Sequence, residues 1–202
     1  MEKIHCVAVG RISDGFVEMA GRYVEGLFGI PVEIDSMFPE PDYAFDEKRR
    51  QYSSTSILKS LALVCPPDAV RFLAITNVDL YIPMLTFVYG TAQLSLPRHD
   101  DFTRRKVALI SLSRLSQEFY GLPSDRELTV RRARKEIAHE LGHTFGLAHC
   151  NDKSCLMSLS TEILQIDLKL QDFCGDCWIL LQENLRQIRN EITMNTVLEH
   201  KK

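Results

Sequence analysis

Apolar residues along the first half of the chain alternate between short continuous runs and longer stretches with helical spacing. Short apolar runs bounded by turn residues are typical of buried strands, and a recurrence of about 3.6 residues is typical of amphipathic helices. Helices are predicted over residues 16–27, with Ser13 as the N-cap, and over residues 46–63. Pro66 and Pro67 end the second helix. The predicted strands cover residues 4–9, 32–34, 71–76, 85–89, 91–96 and 107–112.

The length and composition favour one soluble globular domain. A chain of 202 residues can bury a sizeable core and is short for two domains. The strand–helix alternation predicts an α/β fold, a mixed twisted sheet with helices packed on it. A net charge of −3 and the lack of a long apolar run argue against nucleic-acid and membrane partners. Gly10, Arg11 and Asp14 interrupt the first apolar run, so no signal peptide is expected and a cytoplasmic location is favoured.

The second half of the chain contains a motif with specific chemistry, His139-Glu140-x-x-His143-x-x-Gly146-x-x-His149. On an α-helix His139 and His143 lie one turn apart on the same face. Gly146 can adopt the left-handed conformation that ends a helix and brings His149 round as a third ligand. Three imidazoles are typical of a catalytic zinc site, which keeps a fourth position open for water. Glu140, next to the first ligand, is then the expected catalytic carboxylate.

The context of the motif supports a helix with a metal site. The shorter H-E-x-x-H pattern also occurs by accident, as two solvated histidines beside a surface glutamate. The full pattern arises by chance in a chain of this length with a probability on the order of 10⁻⁵. A capping box from Ser124 to Glu127 predicts a helix start near Asp125, and the basic cluster at residues 131–135 is expected to form a solvated helix face. Gly142 inside the helix indicates close packing behind the metal, unless it is merely tolerated.

Four cysteines directly follow the histidine motif, in the pattern C-x4-C, a long gap and C-x2-C. Two close pairs of this kind are typical of a closed, structural four-thiolate zinc site, which would clamp the loop after the motif to a C-terminal helix over residues 176–193. A redox dithiol, disulfides and uninvolved thiols are the alternatives. Cys6 and Cys65 have apolar neighbours and are expected in the core. The four expected ligands are Cys150, Cys155, Cys174 and Cys177.

These residues resemble the archaemetzincins, a branch of the metzincin zinc peptidases. In that family the three-histidine motif is followed at once by a cysteine, then by a methionine and a C-x2-C pair, and the resemblance is close over residues 125–177. It implies that Met157 is the Met-turn methionine beneath the catalytic zinc, a packing residue and not a ligand. It also implies that residues 89–94 belong to a substrate-binding edge strand, antiparallel to its neighbour. The substrate-binding residues are then Gly90, Thr91, Ala92 and Gln93.

The resemblance sets the expected architecture and activity. It implies a single metzincin-like zinc metallopeptidase domain over residues 1–202, with a sheet-rich part over 1–124 and the zinc helix, cysteine loop and C-terminal helix over 125–202. One catalytic and one structural zinc are expected per chain. Peptides or proteins are the expected substrates, with aminopeptidase action on short peptides as the family's activity, and a monomer is favoured. Glu140 would take a proton from water and pass it to the leaving amine.

Two other classes of function remain open at this level. A non-catalytic or latent two-zinc protein with a structural or partner-binding role would have its fourth metal position plugged, although such a scaffold has no need of Glu140. A zinc-ribbon-like nucleic-acid module is disfavoured because the chain has no basic excess.

Overall fold

The computed structural model describes residues 2–13, 15–93 and 106–199, and side chains as far as Asn190. Within this part of the chain, no helix combines the length and the apolar character that a membrane span requires. The strands are Lys3–Val9 (β1), Val32–Ile34 (β2), Phe45–Asp46 (β3), Gln51–Ser53 (β4), Ala69–Thr76 (β5), Leu80–Tyr81 (β6), Gly90–Ala92 (β7) and Lys106–Ser111 (β8). The helices are Phe16–Phe28 (α1), Ser54–Val64 (α2), Arg126–Thr144 (α3), Ile163–Leu168 (α4) and Gly175–Glu199 (α5).

The main sheet has five strands in the order β2-β1-β5-β8-β7. The first four are parallel to one another, whereas β7 is antiparallel to β8, with Gly90 opposite Ile110. The predicted mixed α/β sheet with an antiparallel edge strand is therefore confirmed. Strands β3, β4 and β6 form a second, three-stranded sheet.

Helices cover both faces of the main sheet, and this positions the histidine motif. Every residue of the central strand β5 is buried, as expected for a parallel strand covered on both faces. Because side chains alternate along a strand, Leu73 and Ile75 pack with α1, α3 and α5, while Phe72 and Ala74 pack with α2. Helix α3 lies against β8 and β7, so the motif sits below the edge strand.

The helix predicted over residues 46–63 is wrong at its start. Helix α2 begins at Ser54, and the Ser53 hydroxyl caps it by accepting the Ser56 N–H. The preceding residues form a turn between β3 and β4, in which the Asp46 carboxylate accepts two backbone N–H groups and Arg50 has a positive φ of 54°. The polar run in this turn lacks the apolar spacing that would bury one helix face, so local hydrogen bonds decide its conformation.

Two smaller predictions are also wrong, and part of a third lies outside the described residues. The apolar run at 85–89 is not a strand: only Val88 bridges to Leu80, and the whole run lines a cleft, with Tyr89 also buried in the core. Gly15, with a φ of 73°, occupies the N-cap of α1 in place of Ser13. Residues 94–96 of the predicted edge strand lie outside the described residues.

Candidate active site

Helix α3 carries the first two histidines of the motif, and both of its ends are determined by local chemistry. The Asp125 carboxylate caps the start by accepting the Leu128 N–H at 2.8 Å, so the helix begins one residue later than a capping box at Ser124 implies. At the other end, Gly146 has a φ of 90°. The chain turns there and returns His149 toward the helix.

The structure brings the three imidazoles of the motif together. One ring nitrogen from each of His139, His143 and His149 lies within 4.8 Å of the others. The Nε2 atoms of His139 and His143 are 3.1 Å apart. The rings of His149 and His143 are centred 4.8 Å apart, so the third ring completes a three-sided group of nitrogen donors.

Hydrogen bonds behind the rings determine which nitrogens are free to bind a metal. The Nδ1 atom of His139 lies 2.8 Å from the carbonyl oxygen of Leu156, and that of His143 lies 2.8 Å from the carbonyl of Leu147. A carbonyl only accepts, so each Nδ1 donates its proton and each Nε2 carries a lone pair. Two lone pairs facing each other at 3.1 Å repel unless a cation lies between them. The donor set therefore fits zinc.

Desolvation favours the state of these imidazoles that a metal requires; His139 and His143 are buried, and His149 is more exposed. Desolvation lowers the pKa of His139 well below its usual value, and it also lowers the pKa values of His143 and His149. Each shift favours the neutral imidazole, which is the form that ligates zinc.

Glu140 is buried beside this group, directly against the edge strand. Burial raises the pKa of its carboxyl well above the usual value, and the negative charge of Glu136, one helical turn earlier, adds to the effect. A Cβ atom placed on Gly90 would lie 2.7 Å from Glu140 Cγ and 2.9 Å from its Oε1. Only glycine therefore allows β7 to approach the Glu140 carboxyl this closely without displacing it.

Met157 packs beneath the helix at a second glycine. It is fully buried, and a Cβ atom on Gly142 would lie 2.6 Å from Met157 Sδ. The Gly142 position thus has the close packing that its place in the helix indicated. The Met157 carbonyl also accepts the Cys150 N–H at 2.9 Å, which connects the packing residue to the cysteine loop.

The four cysteines after the motif form a second cluster of donors. Their Sγ atoms all lie within 4.8 Å of one another, and those of Cys150 and Cys174 are 3.7 Å apart. A tetrahedral zinc with Zn–S bonds of about 2.3 Å has sulfur–sulfur edges of about 3.8 Å, whereas a disulfide bond measures about 2.05 Å. Backbone N–H groups of Met157 and Cys174 point at Cys155 Sγ, a pattern that stabilises thiolate charge. The cluster therefore fits a four-thiolate metal site better than a disulfide.

A cleft of about 480 Å³ opens over the histidines and Glu140. One wall is the edge strand β7, which contributes Gly90, Thr91 and Ala92. Gln93 is not part of this lining, and its N–H pairs with the carbonyl of Val107 on β8 at 2.9 Å. Residues 159–161 line the cleft as well. Three of the four predicted substrate-binding residues thus face the cleft.

The cleft also contains residues that sequence reasoning missed, namely Glu136, Ser160 and Lys169. Glu136 precedes Glu140 by four residues, so helical spacing alone places it on the same face and could have identified it. Lys169 follows α4, a short helix whose position depends on tertiary contacts, and no local pattern identifies it.

The expectation that the basic cluster at 131–135 forms a solvated face is wrong for two of its members. Arg132 is buried and makes a bidentate ion pair with Asp167, with both distances 2.7 Å. Lys135 is buried as well and donates to the carbonyl of Ile166 at 2.8 Å. These contacts fasten α4 onto α3 and so position the wall of the cleft.

Comparisons with known proteins agree with this geometry. Residues 44–183 match the model of peptidase family M54. The archaemetzincin of Methanocaldococcus jannaschii is 42% identical over 175 residues, which cover 87% of this chain and 90% of that protein. The crystal structure of archaemetzincin from Methanopyrus kandleri superposes with a TM-score of 0.75 at 35% identity and covers 92% of this chain and 96% of its own. A zinc-dependent peptidase from Methanocorpusculum labreanum superposes with a TM-score of 0.74 at 30% identity, covering 88% of this chain and 99% of its own.

Proposed function

The chain belongs to peptidase family M54, the archaemetzincins, and on this premise we propose that it is a zinc metallopeptidase in which Glu140 is the general base. One observation carries the proposal. The Nε2 atoms of His139 and His143 face each other at 3.1 Å, with the buried Glu140 carboxyl next to them at the floor of a cleft. A solvated pair of histidines would show neither this convergence nor the burial.

His139, His143 and His149 would hold the catalytic zinc. Zinc held there would act as a Lewis acid: it would lower the pKa of a water molecule and polarise the carbonyl group of the scissile bond. The Glu140 carboxylate removes a proton from the attacking water and delivers it to the nitrogen of the leaving amine.

The edge strand β7 would hold the substrate. Within the described residues, β7 pairs on one side only, with β8. Its free backbone N–H and C=O groups can pair with an extended peptide, which would then lie along the cleft. Because Gly90 touches Glu140, a peptide aligned on β7 has its scissile bond near the general base. The partner is therefore a peptide or protein substrate, and we extend the proposal to aminopeptidase action on short peptides.

The four cysteines would hold a second, structural zinc, giving one catalytic and one structural ion per chain. The site would tie the loop that carries Met157 to the first turn of α5. All four donors are protein sulfurs, so no coordination position is left for substrate.

A digest of a diverse peptide library, with and without a chelator, tests the proposed activity. We expect product masses only without the chelator, and we expect zinc to restore them. Matched peptides with free and acetylated N-termini distinguish aminopeptidase from endopeptidase action, because an aminopeptidase cleaves only the free form. If the fully metallated protein cleaves no peptide in the library, the chain is a non-catalytic zinc protein.

A methyl group at Gly90 tests the contact between the edge strand and the general base. We expect Gly90→Ala to lower kcat by about 10²-fold, because the added Cβ displaces the Glu140 carboxyl from its productive position. Metal content, measured by atomic absorption, should stay unchanged.

Gly26→Ala is the matched control, since a Cβ atom there has no neighbour within 4 Å. It should leave kcat at the wild-type value. Equal kcat values for the Gly90 and Gly26 variants would show that the close contact has no role in the reaction.

A further inference from the structure

A buried pair of opposite charges lies in the wall of the cleft. Glu136 helps to raise the pKa of the Glu140 carboxyl, but neither member of the pair has a role in substrate binding in the function proposed above. Glu136 lies on α3, one turn before Glu140, and Lys169 follows the end of α4. Lys169 Nζ and Glu136 Oε1 are 3.8 Å apart, and the side chains are only 1% and 5% exposed. Both residues line the cleft.

Within the described part of the chain, the hydrogen-bonding groups of these two side chains do not all find a partner. The separation of 3.8 Å is too long for a hydrogen bond, and Lys169 Nζ instead donates to the carbonyl of Leu156 at 3.4 Å. Glu136 Oε1 is buried and has no hydrogen-bond partner among the described residues. The same holds for the hydroxyl of Ser160, which also lines the cleft. Unpaired buried acceptors are costly, above all charged ones, and these atoms therefore indicate a partner that enters through the cleft.

The arrangement of charge indicates what kind of group that partner carries. The pair is neutral as a whole. The Lys169 ammonium would repel a cationic group, and the Glu136 carboxylate would repel an anionic one. A neutral carboxamide fits both ends, because its NH₂ donates to Glu136 Oε1 while its oxygen accepts from Lys169 or from Ser160. An apolar side chain would leave Glu136 Oε1 and the Ser160 hydroxyl without a hydrogen-bond partner.

We propose that Glu136, Lys169 and Ser160 form a specificity subsite for the carboxamide side chain of a substrate asparagine or glutamine next to the scissile bond. This inference rests on the proposed peptidase function, since it assigns a substrate preference to the same cleft. A site built to hydrogen-bond a substrate rejects an analogue that lacks the bonding groups. The subsite therefore favours glutamine over methionine, which has nearly the same length and no amide, by about 10²-fold in kcat/KM.

A peptide series that differs at one residue tests the preference. The variable residue is Gln, Met, Glu or Lys, placed on either side of the cleaved bond, and kcat/KM is measured for each peptide. The wild-type protein should cleave the Gln peptide fastest. In the double variant Glu136→Leu/Lys169→Met, which replaces the pair by apolar side chains of similar size, the Gln-to-Met ratio should fall to about 1. The control Glu127→Gln, at an exposed site on the same helix, should keep the wild-type ratio.

Binding provides a readout that is independent of turnover. The zinc-loaded Glu140→Ala variant should bind the Gln peptide about 10²-fold more tightly than the Met peptide in calorimetry. If the double variant does not fold, Glu136→Gln keeps the shape of the side chain, and its Gln-to-Met ratio should fall by about tenfold. A preference for Met, Glu or Lys, or a Gln preference that survives in the folded variants, overturns the subsite. If no peptide is cleaved, the peptidase proposal fails, and the order of binding affinities alone then decides the subsite.

Discussion

Substitution of Glu140 by alanine is expected to lower peptide turnover by about 10³-fold or more, with zinc still bound at both sites. The proposed reaction needs a group that moves a proton from water to the leaving amine, and general acid–base catalysis of this kind contributes about 10²–10⁴-fold. Within the described part of the chain, Glu140 is the carboxyl that lies both against the edge strand and beside the histidine ligands. Steady-state kinetics and metal analysis of the same preparation check the two halves of the prediction.

The control for this experiment lies on the same helix. Glu127 is exposed, in the first turn of α3, and pairs with Arg131. Glu127→Ala should keep both the turnover and the zinc content, because exposed pairs of this kind contribute little to stability. Full activity of Glu140→Ala, with the metal in place, would exclude Glu140 as the general base.

Substitution of Cys174 by serine is expected to remove one of the two zinc ions and to destabilise the protein by about 4 kcal/mol or more. Structural zinc contributes its binding energy directly to folding, and losses of this size are exceptional for a single substitution. For a chain of this length the loss corresponds to a fall in Tm of about 8–16 °C. Calorimetry and atomic absorption measure the two effects.

Cys65→Ser is the matched control, because Cys65 is buried at the end of α2 and lies outside the cluster. It should keep the full zinc content and lower stability by about 1 kcal/mol. If Cys174→Ser changes neither the zinc content nor Tm, the four thiols do not form a metal site.

The convergence of the three histidines follows from spacing along one helix and one turn, which is why the sequence could indicate it. The step from His139 to His143 is a single turn, and Gly146 is the residue that reverses the chain. The antiparallel edge strand was expected from the family resemblance. The contact of this strand with Glu140 depends on the missing Cβ of Gly90. The glycine is visible in the sequence, but the reason for it is visible only in the fold.

The parts that the sequence did not predict depend on contacts between distant segments. Lys169 enters the cleft because Arg132 and Lys135 bind the end of α4, and these basic residues were expected to be in solvent. The local sequence pattern places charged residues at the surface. It cannot show the distant partner that allows such a residue to be buried. For residues 46–53 the failure was local: side-chain and backbone hydrogen bonds around Asp46 outweighed a weak helical pattern.

In the proposed active site, three imidazoles hold a zinc ion whose fourth position is open to solvent. Anomalous diffraction at the zinc edge, from crystals of the metal-loaded protein, tests it most directly. We expect a peak at about 2.0–2.1 Å from the ring nitrogens of His139, His143 and His149, with a solvent oxygen as the fourth ligand. A loaded crystal with zinc only among the cysteines, or with a protein side chain in the fourth position, would contradict it.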